Sequence, residues 1–521
     1  MSAQHYRQQG WWTDEALWTR YSRHAASHPT HLAVADDRGV ELTHAGLADA
    51  AARLAGRLTD AGVTSGDLIL VIMPNRAEWQ VVFAALLRLG AIPMTVPVTT
   101  DGATLTYLCN LTEVTAIVTA TRLANIPLGE TAAEAAAKAD RSTAVVIVDD
   151  VATIDMVRAG SREPRTLALG DTAHVMTTSS TTGKPKAVTH SENTLAALNV
   201  GFANRFALDA TTPIFMASPL GHSVGAIHGA RLSMFLGAPL ILQERWDPEQ
   251  ALDIIDRYRC DFTSAATPFL KDLIDTPARG PKLASMRTFL CGGAAVPPLL
   301  MDQADEQFTS TFVSVLWGMT EGGVTTSTLD STADQRRNTA GCGLPGLEMS
   351  TVDETLQHLP TGEAGELVMR GPGVFTGYLG QDDLYESLLT PDGYFRTGDL
   401  ARLDADGYLH LTGRLKDLII RGGVNISPVA IEDTLAGHPH VRRVAVIGEP
   451  DERLGERLCA VVVPKGDATV SLDELLEWSS DQGLPRRYWP ESMRVVDEMP
   501  VTAAGKIRKN QLRDELFGSA S

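Results

Sequence analysis

The sequence predicts an α/β protein: a large, multi-subdomain N-terminal domain of βαβ sheets that carries a small β-rich subdomain, and a small mobile α+β C-terminal domain. Three observations predict it. Residues 1 to about 170 alternate helix-period and strand-period patterns in βαβ style. From about Gly362 the alternation gives way to short strands and turns. After Gly413 and Arg414 come two strand pairs with a helix between them, in a stretch of ordinary domain length. The chain has 521 residues, well beyond the roughly 250–300 at which one hydrophobic core stops growing.

The elements follow in order. LTHAGLADAAARLAGRLTDAG (42–62) has helical periodicity and ends on a glycine stop. DLILVIM (67–73) is a buried-strand run, and EWQVVFAALLRLGAIPMTVP (78–97) a helix running into a strand. TAIVTA (115–120) and TAVVIVDD (143–150) repeat the strand theme, and the Ala-rich ETAAEAAAKADRS (130–142) between them is expected as an exposed helix. Residues 173–177 form a short strand and NTLAALNVGFANRF (193–206) a helix, so the intervening loop is expected to join a strand directly to a helix. Further βα units are PIFMASPLGHSVGAIHG (213–229), APLILQERWDPEQALDIIDRY (238–258), DFTSAATPFLKDLI (261–274) and MRTFLCGGAAVPPLLMDQA (286–304). GELVMRGP (365–372) and YFRTGDLARLDADGYLHLTGR (394–414) build the β-rich part. The expected domains are 1–413 and 417–521, with a short hinge at 414–417.

The bulk numbers narrow the function. With 44% hydrophobic and 21% charged residues the chain is globular. A net charge of −19 argues against nucleic acid, though local lysines and a metal can still make a nucleotide cleft. No apolar run is long enough to span a bilayer, and MSAQHYRQQGWWTDE has no signal core, so a cytoplasmic protein is expected. Five scattered cysteines without a C-x-x-C read as reduced thiols. The oligomeric state is left open.

The loop TTSSTTGKPKAVTHS (177–191) gathers small hydroxyls, a glycine and lysines, yet it is not the Walker A pattern. Thr178, Ser179, Ser180, Thr181, Thr182, Gly183 and Lys186 could wrap a phosphate with N–H groups, hydroxyls and an ammonium, aided by the dipole of the following helix. Taken alone, a polar surface turn explains it equally well.

The loop's company resembles the adenylate-forming superfamily of acyl-CoA synthetases, luciferases and nonribosomal adenylation domains, over essentially the whole length. GWW near the start, SPLGHSVGAIHG, ATPFLKDL and FLCGGAAVP look closest to short- or medium-chain and cyclohexanecarboxylate acyl-CoA ligases. The resemblance implies activation of a carboxylic acid as acyl-AMP with release of pyrophosphate, then transfer to CoA. ATP and Mg²⁺ would be bound, and the loop would hold the β- and γ-phosphates. In WGMTE (Trp317, Gly318, Met319, Thr320, Glu321), Thr320 would bond the α-phosphate and Glu321 would ligate Mg²⁺. Trp317 stands where the family has tyrosine; it would keep a flat face for adenine and lose the hydroxyl. Gly292, Gly293 and Ala294 match the adenine-edge strand, Asp399 the ribose carboxylate, Arg414 a ribose or phosphate contact and Lys416 the pivot. Lys506, in PVTAAGKIRK (500–509), would stabilise transition-state charge at the α-phosphate. RGGVNISP (421–428) matches the turn that lies beside the pantetheine tunnel after the C-terminal domain rotates.

For the acid, PLGHSVG (219–225) lacks the carboxylate that pairs with an α-ammonium, which disfavours amino acids. His222 is the expected gate beside the substrate carboxylate. Gly221, Val224, Gly225, Phe262, Ala266, Thr267, Pro268, Gly322 and Gly323 are expected to line a pocket for a small apolar or aromatic acid. Four positions depart from the family pattern: Ser180 and Ala187 replace glycines, Glu192 replaces a histidine and Ala430 a glutamate. Glu192 is expected to bring negative charge near the phosphates, and Ala187 to reshape the loop. Alternatives are activation of nitrous acid for diazotisation, transfer to a carrier-protein thiol, and a non-catalytic nucleotide-binding relative.

Overall fold

The computed structural model describes residues 2–154, 167–178, 185–277, 281–293, 296–501 and 507–518. A nine-stranded sheet runs in the spatial order Cys342–Gly343, Val324–Thr326, Phe312–Gly318, Thr288–Gly292, Phe262–Ala266, Ile214–Met216, Leu240–Leu242, Leu32–Asp36, Glu41–Thr43. Its inner strands are parallel, as βαβ connections require, and its edges are antiparallel. A second sheet of seven strands places Leu68–Ile72 between Ile92–Thr95 and Ala116–Thr119. Leu68–Ile72 is buried along its whole length, which is why DLILVIM shows no alternation.

The main core fills the space between the two sheets. The helices His44–Asp60, Ala77–Leu89 and Glu192–Phe206 lie there, and Leu54, Phe83, Leu198 and Phe202 meet Val71 of one sheet and Phe262 and Leu290 of the other. Ala77–Leu89 is buried almost all round and closes on Gly90 at φ +69°, the left-handed cap that glycine provides without a Cβ penalty. The Ala-rich helix Leu128–Lys138 is not wholly exposed: Leu128, Ala132 and Ala135 bury one stripe of it.

The small β-rich part is an antiparallel four-stranded sheet, Glu348–Val352, Gly365–Arg370, Phe395–Leu403 and Leu409–Arg414. It begins at Glu348, before the glycine at 362 where the sequence pattern changes. The last sheet consists wholly of strands after residue 417, around the long pair Val441–Asp451 and Gly455–Pro464, and has its own core. A large N-terminal domain is thus followed by a small C-terminal one. No helix among the described residues is long and apolar enough to cross a membrane. None of the five cysteines forms a disulfide.

Candidate active site

The Ser/Thr-rich loop sits on a hairpin, not between a strand and a helix. Thr172–Thr178 pairs antiparallel with a strand the sequence reading missed, Lys186–Ser191, and Thr178 opposite Lys186 is the last described pair. KAVTHS carries no alternation because all but Lys186 are buried. Ala187 lies in ordinary extended backbone in the core, so its replacement of glycine demands no left-handed conformation. The helix Glu192–Phe206 starts only after this strand and is capped by Ser191 and Thr194, so its dipole is not at the loop. Ser179, Ser180, Thr181, Thr182 and Gly183 lie outside the described residues. At the loop's base the Thr178 hydroxyl is buried without a partner among the described residues, an orphan of the kind a ligand oxygen satisfies.

Lys186 leans over Tyr378, its Nζ 4.4 Å from the ring centroid, and donates to the Tyr378 hydroxyl at 3.0 Å. That hydroxyl donates to Glu321 Oε1 at 2.8 Å, while Lys186 Nζ stands 3.9 Å from the same oxygen. Burial and the neighbouring Glu321 push the Tyr378 pKa well up, so it remains a donor. Glu321 Oε2 has no hydrogen bond among the described residues. Thr320 donates to Ser223 Oγ at 3.3 Å. His190, which the sequence reading did not single out, sits under this turn: Nε2 lies 2.7 Å from the Thr320 carbonyl and Nδ1 3.1 Å from Thr194 Oγ1. Burial lowers its pKa to about 4, so the ring is neutral and Nε2–H donates to the carbonyl.

The other end of the same turn meets the expected ribose carboxylate. Trp317 Nε1–H donates to Asp399 Oδ2 at 2.8 Å, and Arg414 Nε lies 2.7 Å from Oδ1. The tyrosine-to-tryptophan change therefore supplies a donor, and the indole is buried in the core of the β-rich part rather than free on both faces. Arg414 is held on Asp399 because the two are cross-strand partners. Partial desolvation and nearby Arg414 lower the pKa of Lys416, which remains exposed two residues beyond Arg414. A Cβ on Gly292 would lie 2.1 Å from the Leu316 carbonyl, so that glycine serves sheet packing; Gly293, at φ +82°, faces open space. Ala294 lies outside the described residues.

On the acyl side, wide π-type turns run from Val224 to Arg231, a form concentrated at functional sites. Gly221 and Gly225 admit the carbonyls of Val96 and Pro219, which a Cβ would meet at 2.1 and 2.3 Å. His222 stands at the entrance, its pKa lowered to about 4 by burial. Ala266, Thr267 and Pro268 follow at the end of a sheet strand, partly open. Phe262 does not line this entrance: it is fully buried against Phe202 and Phe206 in the core below. Gly322 and Gly323 turn their Cα hydrogens onto Gly373 and Met369, so they form the back of the turn rather than a pocket wall.

The family described as "AMP-binding enzyme" matches residues 21–379, and the "AMP-binding enzyme C-terminal domain" matches residues 430–506. The chain belongs to the AMP-binding enzyme family. It is 32% identical to the medium-chain fatty-acid–CoA ligase of Escherichia coli over 98% of this chain and 92% of that one. It is also 32% identical to a salicylyl-CoA synthase/salicylate adenylyltransferase of a Streptomyces species, over 100% and 97%. Among solved structures, ATP-bound MatB from Rhodopseudomonas palustris superposes with a TM-score of 0.87 at 26% identity, covering 96% and 98%. The o-succinylbenzoate CoA synthetase of Bacillus subtilis with its acyl-adenylate intermediate gives 0.85 at 26%, covering 96% and 99%. The chain is an adenylate-forming ligase.

Within this AMP-binding enzyme the atypical Glu192 is buried rather than exposed. It turns inward to Arg231 at 2.5 Å, with side-chain exposures of 7% and 1%, and accepts the Leu17 N–H at 3.3 Å. A carboxylate at that place pairs with the cation at the end of the π-type turns. In the C-terminal domain Arg421 and Val424 pair across Gly422 and Gly423, at φ +60° and +80°, a two-residue turn that glycine favours. Glu432 survives from the family's pair of glutamates; it accepts the Val446 N–H at 2.6 Å and binds Lys509 at 2.7 Å. Lys506 lies outside the described residues.

Proposed function

We propose that the chain joins a small aromatic or apolar carboxylic acid to AMP, releasing pyrophosphate, and then passes the acyl group to the thiol of CoA. The observation that carries the reading is the Trp317–Glu321 turn, with a carboxylate suited to ribose bound at one end and a cation–carboxylate pair suited to phosphates and magnesium at the other. The relatives named as CoA ligases and aryl-acid adenylating enzymes support it.

A carboxylate oxygen of the acid attacks the α-phosphorus of ATP, and the bond to the β-phosphate oxygen breaks. The Thr320 hydroxyl, which donates to Ser223 at 3.3 Å, turns from that bond to donate to the α-phosphate. Lys186 and Thr178 steady the phosphates that leave. Glu321 would hold Mg²⁺ through its free oxygen; bound there, the ion supplies neutralisation of phosphate charge. A magnesium ion shared with phosphates needs no protein cage. Lys506 supplies positive charge in this first step. In the second step the thiolate adds to the acyl carbon and AMP departs. We assign the two steps to two settings of domains 1–413 and 417–521, pivoting at 414–417 with Lys416 in the hinge, so that the Arg421–Val424 turn replaces Lys506 at the site. A cytoplasmic setting, where CoA and ATP are found, fits this chemistry.

The test is pyrophosphate release from ATP with a panel of acids and with nitrite, with and without CoA. Acid-dependent release and a CoA thioester are expected. Release that depends on nitrite and an aryl amine, or release from no acid at all, overturns the proposal.

A further inference from the structure

One buried polar pair lies beneath the acyl entrance and takes no part in the reaction just described. The strands Phe262–Ala266, Thr288–Gly292 and Phe312–Gly318 are parallel and in register. Ala266, Gly292 and Leu316 make one row across them, and Ser264, Leu290 and Ser314 the next row down, on the same face. Ser264 Oγ lies 3.0 Å from His228 Nδ1. His228 is on the π-type turns, five positions after Ser223 and hence about one turn beyond the residue that bonds Thr320. The imidazole is 4% exposed and packs on Phe202 at 4.4 Å. No hydrogen bond among the described residues uses its Nε2. Nor is Nε2 among the sealed orphan atoms of the described residues, as His174 Nδ1 and Arg231 Nε are, and the ring keeps a small exposed area.

We propose that His228 Nε2 is the polar floor of the acyl pocket, and that the acid this chain takes carries a hydroxyl group on the part farthest from its carboxylate. The inference rests on the adenylation reading and names its substrate class. Ser264 can donate to Nδ1 or accept from it, which leaves Nε2 as donor or acceptor respectively. A hydroxyl answers either form. A plain hydrocarbon acid would bury Nε2 with no partner, which is how a polar site rejects an analogue lacking the group. A second carboxylate is a poor match: burial, with His222 nearby, lowers the pKa of His228 to about 3, so the ring is neutral, and Arg231 is already paired with Glu192.

The experiment measures kcat/KM for acid-dependent pyrophosphate release with matched acids. Benzoate is compared with its ortho, meta and para hydroxy derivatives, hexanoate with its ω-hydroxy derivative, and adipate stands for a second carboxylate. Wild type, His228→Leu and His228→Gln are used. The para hydroxy acid or the ω-hydroxy acid is expected to exceed its parent about tenfold or more in wild type, and a preference for the ortho derivative alone overturns the proposal. That ratio falls toward one in H228L and is largely kept in H228Q, whose amide can reach the same place. A parent acid or adipate preferred by wild type, or a ratio unchanged in H228L, overturns the proposal. If no acid releases pyrophosphate, the adenylation reading fails instead. Calorimetric binding of the same acid pairs then reads the floor directly, and equal affinity for hydroxy and parent acids overturns it.

Discussion

Lys186 and Glu192 stand at the two ends of one short strand, and each meets an opposite charge. Glu192 and Arg231 are sealed at 2.5 Å, whereas Lys186 and Glu321 stand 3.9 Å apart with a tyrosine hydroxyl between them. The sealed pair keeps only the Arg231 Nε–H without a partner, and that atom is buried out of a ligand's reach. The loose pair keeps a free carboxylate oxygen and a lysine 23% exposed, ready to redistribute its bonds when phosphate arrives. A working site holds its charges nearby without closing them on each other; a structural one locks them together out of reach.

Acid should break the sealed region first. His174 and His190 lie beside Arg231, and burial lowers them from 6.5 to about 3 and about 4. Both pKa values are depressed, so unfolding takes up protons. Stability is complete above pH 6.5 and is lost as pH falls from 6.5 toward 4. At ~1.4 kcal/mol per pH unit for each proton, the two groups remove about 4 kcal/mol by about pH 5. Denaturant midpoints at neutral and acid pH read this loss, and a flat profile would contradict it. Next in size, Arg231→Met leaves Glu192 buried and unpaired and should cost about 3–5 kcal/mol by denaturant unfolding. Adding Glu192→Leu should restore most of that loss; failure to restore it would mean the pair is not the reason.

The loose pair should behave in the opposite way. Lys186→Ala should leave stability within about 1 kcal/mol yet lower kcat/KM for ATP in pyrophosphate exchange about a hundredfold. Equal losses of stability and activity would erase the distinction between the two pairs. The smallest effect concerns the ribose end. Trp317→Phe keeps the packing and removes the donor on Asp399, and a hydrogen bond to a charged group of about 1.5–3 kcal/mol predicts a tenfold or larger rise in KM for ATP, with kcat little changed. A change confined to kcat would place Trp317 elsewhere in the cycle.

Much of this was legible in the sequence where composition maps directly onto geometry. DLILVIM, the turn around Trp317 and the two-glycine turn at 422–423 each stand where their residue types require. What was not legible depends on partners far along the chain. Glu192 looks like a misplaced charge until Arg231 is folded against it. Trp317 looks like a lost hydroxyl until its indole nitrogen meets Asp399. Lys186–Ser191 has neither alternation nor length to mark it as a strand, and His190, His228 and Tyr378 carry no spacing signal at all.

The tie between Glu432 and Lys509 has a mechanical consequence. One residue lies just past the glycine turn and the other just past the segment that ends at residue 506. On the two-setting reading proposed above, a tie at that point would make the two tips travel like the arms of a see-saw: lowering one onto the nucleotide would lift the other away by the same stroke.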